Sequence, residues 1–121
     1  MTSETIDSLN TVTLVGRVSA EPDTRELPSG DRLLTFRVVV ERHPVRAGTR
    51  RQVDVIDVAC WSKRTQRTAE RLAADDVVRV EGALRRRFFP TGGGRASRYE
   101  VEAERLARVT RARAPSSSAA G

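Results

Sequence analysis

The stretch VDVIDVACWSKRTQRTAERLAADDVVRVEG, residues 53–82, decides the fold, because it sets a helical period between two runs of β-branched residues. The run at 53–61 and the one beginning at Val77 read as strands. Between them Ser62 is placed as an N-cap, and Thr65, Ala69 and Leu72 recur at helical spacing, so a helix of about three turns fits.

Working outward, TVTLVGRV at 11–18 puts Val12, Leu14, Gly16 and Val18 on one face, the period-two pattern of a half-buried strand. EPDTRELPSGD at 21–31 brings Pro22, Pro28 and Gly30, which predict turns on both sides of a short extended piece. LLTFRVVV at 33–40 reads as a second strand, so the run at 53–61 is the third and VVRVEGALRRRFF at 77–89 the fourth. PTGGGR at 90–95 reads as a flexible hairpin connection, and SRYEVEAERLARV at 97–109 alternates Tyr99, Val101 and Ala103 as a fifth strand.

Five strands with one short helix between the third and fourth predict an all-β protein, a five-stranded OB-fold Greek-key barrel. The expected organisation is a flexible N-terminus at 1–9, the barrel at 10–109 and a small, polar, disordered tail at 110–121.

Composition narrows the function classes. No apolar run approaches the ~20 residues of a membrane helix, and residues 1–10 lack the basic start and apolar middle of a signal peptide, so a cytoplasmic chain is expected. One cysteine, Cys60, and one histidine, His43, make neither a disulfide nor a four-ligand metal site. No cofactor is expected. Twenty-two basic against 16 acidic residues leave a net charge of +6, which favours a polyanionic partner. All but Lys63 of the basic residues are arginine, so their placement says more than their number. Arg42, Arg46, Arg50 and Arg51 lie between Glu41 and Asp54 with no acid among them. Arg85, Arg86, Arg87, Arg95 and Arg98 lie likewise between Glu81 and Glu100.

Strand parity places the rings. Ile56, Val58 and Cys60 share one face of the third strand, and Val55, Asp57, Ala59 and Trp61 the other, which Asp57 marks as outer. In the fourth strand Val78, Val80 and Leu84 oppose Arg79, Glu81, Arg85, Arg87 and Phe89. Trp61 and Phe89 therefore both fall on charged faces. The competing reading for Trp61 is a core ring tucked under the helix.

NTVTLVGRVSAEPDTRELPSGDRLLTFRVVV, VACWSK, AERLAADDVVRVEGALRRR and SRYEVEAERL, in this order, resemble the bacterial single-stranded DNA-binding proteins over about residues 10–109. The resemblance implies an OB-fold that binds single-stranded DNA without sequence preference, as a homotetramer or homodimer, during replication, recombination and repair. Trp61 and Phe89 match stacking aromatics of that family, while Arg37, Arg85 and Arg87 match positions that contact the backbone and Arg50 and Arg51 lie in a loop that closes over the strand. A nucleoid-associated location follows.

Departures from the pattern are specific. Val55 and His43 stand where members commonly carry further aromatics, and Asp57 would repel phosphate unless paired with Arg37 or Arg85. The ending SSSAAG lacks the acidic tip that recruits protein partners, as in accessory paralogues or in a shortened tail. The alternative is therefore an OB-fold interaction subunit, primosome-like or paralogous, with weak DNA binding. An enzyme is not expected. GGGR lacks the Gly-Lys-Ser/Thr of a phosphate loop, Asp54 and Asp57 fall on different strand faces, and Asp75 and Asp76 occupy a turn.

Overall fold

The computed structural model describes residues 7–43 and 52–112. Its elements are β1 (Val12–Val18), β2 (Asp23–Glu26), β3 (Arg32–Glu41), β4 (Val53–Cys60), α1 (Lys63–Ala69), β5 (Val77–Thr91) and β6 (Gly94–Thr110). The sheet runs β1-β5-β6-β4-β3-β2, and a further β1–β3 pairing closes five of the strands into a ring. Every pairing is antiparallel except β4–β6, which is parallel. This is the expected OB-fold with its helix between the third and fourth barrel strands. The short extended piece at 23–26 is a strand in its own right, an edge strand added outside the ring on β3.

Alternating side chains fill the interior. Leu34, Phe36 and Val38 of β3 meet Val58 and Cys60 of β4, Val78 and Val80 of β5, and Val101 and Ala103 of β6, with Ala69 and Leu72 from the helical segment. Burial pushes the Cys60 thiol up to about 12, so it behaves as a small apolar filler.

The helix is shorter than its period suggested. It spans seven residues, about two turns, and is capped by Ser62, whose Oγ accepts from the Thr65 N–H at 3.1 Å. Past Ala69 the bonds shorten to three-residue loops, Arg71 N–H to Thr68 O and Leu72 N–H to Ala69 O, and this tighter turn delivers Leu72 into the core. Asp75 follows in the left-handed region, with φ of 73°, a conformation Asp tolerates.

The hairpin connection also differs. Thr91 pairs with Gly94, leaving only Gly92 and Gly93 as the turn, so PTGGGR mostly continues the two strands. β1 pairs with β5 only as far as Gly82, and β4 with β6 only at Val58–Val101 and Ala59–Glu102. Beyond Leu84 and Val101 the β5–β6 ladder is thus a two-stranded arm leaving the barrel. Its root is fixed by Asn10, whose side chain accepts from Leu84 N–H at 2.9 Å and donates to Leu84 O at 2.8 Å.

Two parity expectations change on this arm. Leu84 is opposite the buried Val101 but is 43% exposed, and Tyr99, in phase with Val101 and Ala103, is 57% exposed. Both stand where the ladder has left the barrel, and no neighbouring strand among the described residues covers them.

Candidate nucleic-acid interface

The outer faces of β3, β4, β5 and β6 carry most of the expected site. Register aligns Arg37 with Asp57, and Arg85 with Glu100. Arg37 Nε donates to Asp57 Oδ1 at 3.0 Å, which is one of the two pairings Asp57 required. Arg85 pairs instead with Glu102 at 3.0 Å, and Arg87 with Glu100 at 2.8 Å. All three arginine side chains remain at least 40% exposed, so these are surface ion pairs of small net stability, ~0–1 kcal/mol each. A groove along this face has both signs of charge in its lining, with Arg25, Arg37 and Arg98 among Glu21, Asp23, Asp57 and Glu100.

Trp61 directly follows β4 and is half-buried; it is not among the residues of the central cluster. Its position is set by Gln66, a buried residue whose Nε2 donates to Arg32 O at 2.7 Å and Cys60 O at 3.0 Å, joining α1 to the start of β3 and the end of β4. The guanidinium of Arg87 lies 5.1 Å from the indole centroid. The indole Nε1 is buried and has no hydrogen-bond partner among the described residues. Arg87 sits directly opposite Arg98, and Arg98 lies 5.5 Å from the ring of Phe89, which is 37% exposed. A single run therefore goes from Trp61 through Arg87 and Arg98 to Phe89, a ring at each end and two cations between.

Arg50 and Arg51 lie outside the described residues. The residues on either side are within them: Arg42 N–H donates to Gln52 O at 2.9 Å, and its guanidinium holds Asp54 at 2.8 Å. That hydrogen bond keeps the Asp54 carboxyl below its ordinary range and raises Arg42. Val55, where an aromatic was missing, is 55% exposed. No group of three or more His, Cys, Asp or Glu residues suited to a metal occurs among the described residues.

Sequence reading missed two contributors: Gln66, whose signal exists only in the folded pairing, and Arg98, which it grouped with the acid-free arginines without a place in the site. Phe88 and Tyr99 are exposed rings on the arm, and the FF dipeptide and the phase of the last strand were their available signals.

An OB barrel with rings and arginines on one outer face defines a class of small cationic, aromatic-faced barrels. The chain matches the single-strand binding protein family over residues 9–109 and belongs to it. Among its relatives, the Single-stranded DNA-binding protein A of Bacillus subtilis is 32% identical over 97 residues, 79% of this chain and 56% of that protein. The Single-stranded DNA-binding protein 2 of Listeria innocua is also 32% identical over 97 residues, covering 79% and 61%. That of Staphylococcus aureus is 31% identical over 87 residues, covering 72% and 63%. The chain thus spans little more than half the length of these curated relatives. A solved structure described as the Plasmodium falciparum SSB complex with ssDNA superposes with a TM-score of 0.70 at 22% identity, covering 86% of this chain and 96% of that one, a likeness of fold. No helix among the described residues is long and apolar enough to cross a membrane.

Proposed function

We propose that this chain binds single-stranded DNA without sequence preference and shields it during replication, recombination and repair, working in the cytoplasm as a homodimer or homotetramer. The observation that carries the reading is the run Trp61, Arg87, Arg98, Phe89, which leads from the end of β4 along one face of the arm. Every base offers a ring face, so stacking at ~1–3 kcal/mol per base gives affinity without reading sequence, while guanidiniums track phosphates. Arg37 and Arg85 extend the cationic path, and Arg50 and Arg51 are proposed to add to it. Membership of a family whose relatives bear single-stranded DNA-binding names supports the same reading.

The test is a titration of Trp61 fluorescence with poly-dT at two salt concentrations, repeated by anisotropy for Trp61→Ala and Phe89→Ala. Each substitution should weaken binding by ~1–3 kcal/mol, about 5- to 150-fold. Normal affinity in both variants would remove the rings from the interface.

A second reading, an interaction subunit with weak DNA binding, is favoured by one observation. Arg37, Arg85 and Arg87 each already hold a carboxylate. A parent chain with no salt-dependent poly-dT binding would select it.

A further inference from the structure

Beyond Leu84 and Val101 the β5–β6 arm has two faces, and the proposed site uses one. The first carries Arg85, Arg87 and Phe89 against Glu100, Arg98 and Ala96. The second carries Arg86, Phe88 and Pro90 against Tyr99, Ser97 and Arg95. Phe88 is 55% exposed and Tyr99 57%, more than Phe89 on the first face. Arg86 lies between the two rings, 4.9 Å from the centroid of Phe88 and 5.5 Å from that of Tyr99, and Arg95 lies 5.2 Å from Phe88.

The two faces differ in charge pairing. On the first, Glu100 and Glu102 hold Arg85 and Arg87. The second contains no acidic residue, and among the described residues neither Arg86 nor Arg95 has a carboxylate partner. Arg86 instead donates to Ser97 Oγ at 3.2 Å and rests on the rings.

We propose that this second face, Phe88 and Tyr99 with Arg86 and Arg95, is itself a single-strand-binding surface, so that a long strand leaving the Trp61–Phe89 run continues around the arm. The inference rests on the reading that the chain binds single-stranded DNA. An exposed guanidinium on a ring is a weak contact, and a base stacked in its place is a stronger one. The displaced Arg86 and Arg95 are then free for the phosphates flanking that base. Charge selects this occupant over a second copy of the chain: two such faces brought together would set uncompensated arginines against one another.

The experiment uses the full chain with two probes: an oligo-dT of about 8 nucleotides, within the ~4–16 that one such barrel covers, and poly-dT. Phe88→Leu with Tyr99→Leu keeps an apolar surface and removes both rings. Its affinity for the short strand should stay within about twofold of the parent, while its affinity for poly-dT should fall at least tenfold, because each stacked ring multiplies affinity by ~5–150. Arg86→Ala with Arg95→Ala should flatten the log–log salt slope on poly-dT by ~1.4, at ~0.7 for each phosphate no longer neutralised. Bromodeoxyuridine-substituted strands should photocrosslink to Phe88 or Tyr99.

Unchanged poly-dT affinity and slope in both double variants would overturn the proposal. So would a smaller particle by light scattering in the leucine variant, which would assign the face to a second copy. If Trp61→Ala and Phe89→Ala lose binding while the arm variants do not, only this inference falls. A parent chain that binds neither probe removes the underlying reading with it.

Discussion

At the scale of the residue, Trp61 is neither wholly core nor wholly surface. Half of its environment is Arg87 over the ring, and the other half shields an indole N–H that has no partner. An unsatisfied buried donor costs ~1–3 kcal/mol. Trp61→Phe removes that donor and keeps a ring, so the variant should melt at or above the parent temperature and lose less than about tenfold in poly-dT affinity, since a smaller ring still stacks. A melting curve and a titration of the same protein check both halves, and a melt several degrees lower would mark the indole as packing rather than contact. Parity in the third strand was enough to put this ring on a charge-bearing face, where Arg87 meets it, because alternation along one strand is local information. The carboxylates of Glu100 and Glu102 were not legible in the same way. They reach Arg87 and Arg85 only through the pairing of two strands, and that pairing shifts register between Glu81 and Gly82, leaving Glu104 without an opposite number.

At the scale of the element, β1 closes the barrel by crossing β3 at Arg17 and Val18, and Gly16 lies next to that crossing. A Cβ on Gly16 would overlap the carbonyl oxygen of Val39. Gly16→Ala should therefore destabilise by ~1–3 kcal/mol, as overpacking does, and a denaturant titration with an unchanged midpoint would contradict this. The adjoining corner, where Val18 N–H donates to Asp76 O at 2.8 Å, is held differently. Asp76, whose side chain is 4% exposed, accepts from Ala112 N–H at 2.6 Å and Ala73 N–H at 2.9 Å, with Arg108 at 3.7 Å. Those two backbone donors, the Ala112 bond foremost, hold its carboxyl below the ordinary range. A depressed folded value stabilises above the unfolded value of ~3.9 and is lost as pH falls through the lower folded one. Asp76→Asn should accordingly lower the melting temperature at neutral pH and flatten its acid limb below about pH 4, which melts across a pH series would show. In the sequence Asp76 was only a turn residue, since nothing local announces that β6 will end beside it. The helix length was misjudged for a related reason: Leu72 kept the helical period, but burial drew it in through a tighter turn.

At the scale of the whole molecule, the excess of six positive charges is not spread evenly over the proposed path. On the first face Arg37 is met by Asp57, Arg85 by Glu102 and Arg87 by Glu100, while Arg98 rests on Phe89 with no carboxylate partner among the described residues; the second face of the arm has no acid at all. A phosphate approaching the barrel face must displace a carboxylate already bound to its guanidinium. The acids would then set affinity below what the arginine count alone supplies, and let a strand be released without unfolding anything. Glu100→Gln with Glu102→Gln tests this directly. The amides can still accept from Arg85 and Arg87, so geometry is kept while two negative charges are removed from the face. Poly-dT affinity should rise, and the log–log salt slope should steepen by up to ~1.4, at ~0.7 for each guanidinium newly available to a phosphate. Stability should move by less than ~1 kcal/mol per pair, because these are exposed ion pairs. If affinity and slope stay at the parent values while Trp61→Ala still loses binding, the rings carry the contact and Arg85 and Arg87 serve to hold β5 to β6 within the arm rather than to meet the strand.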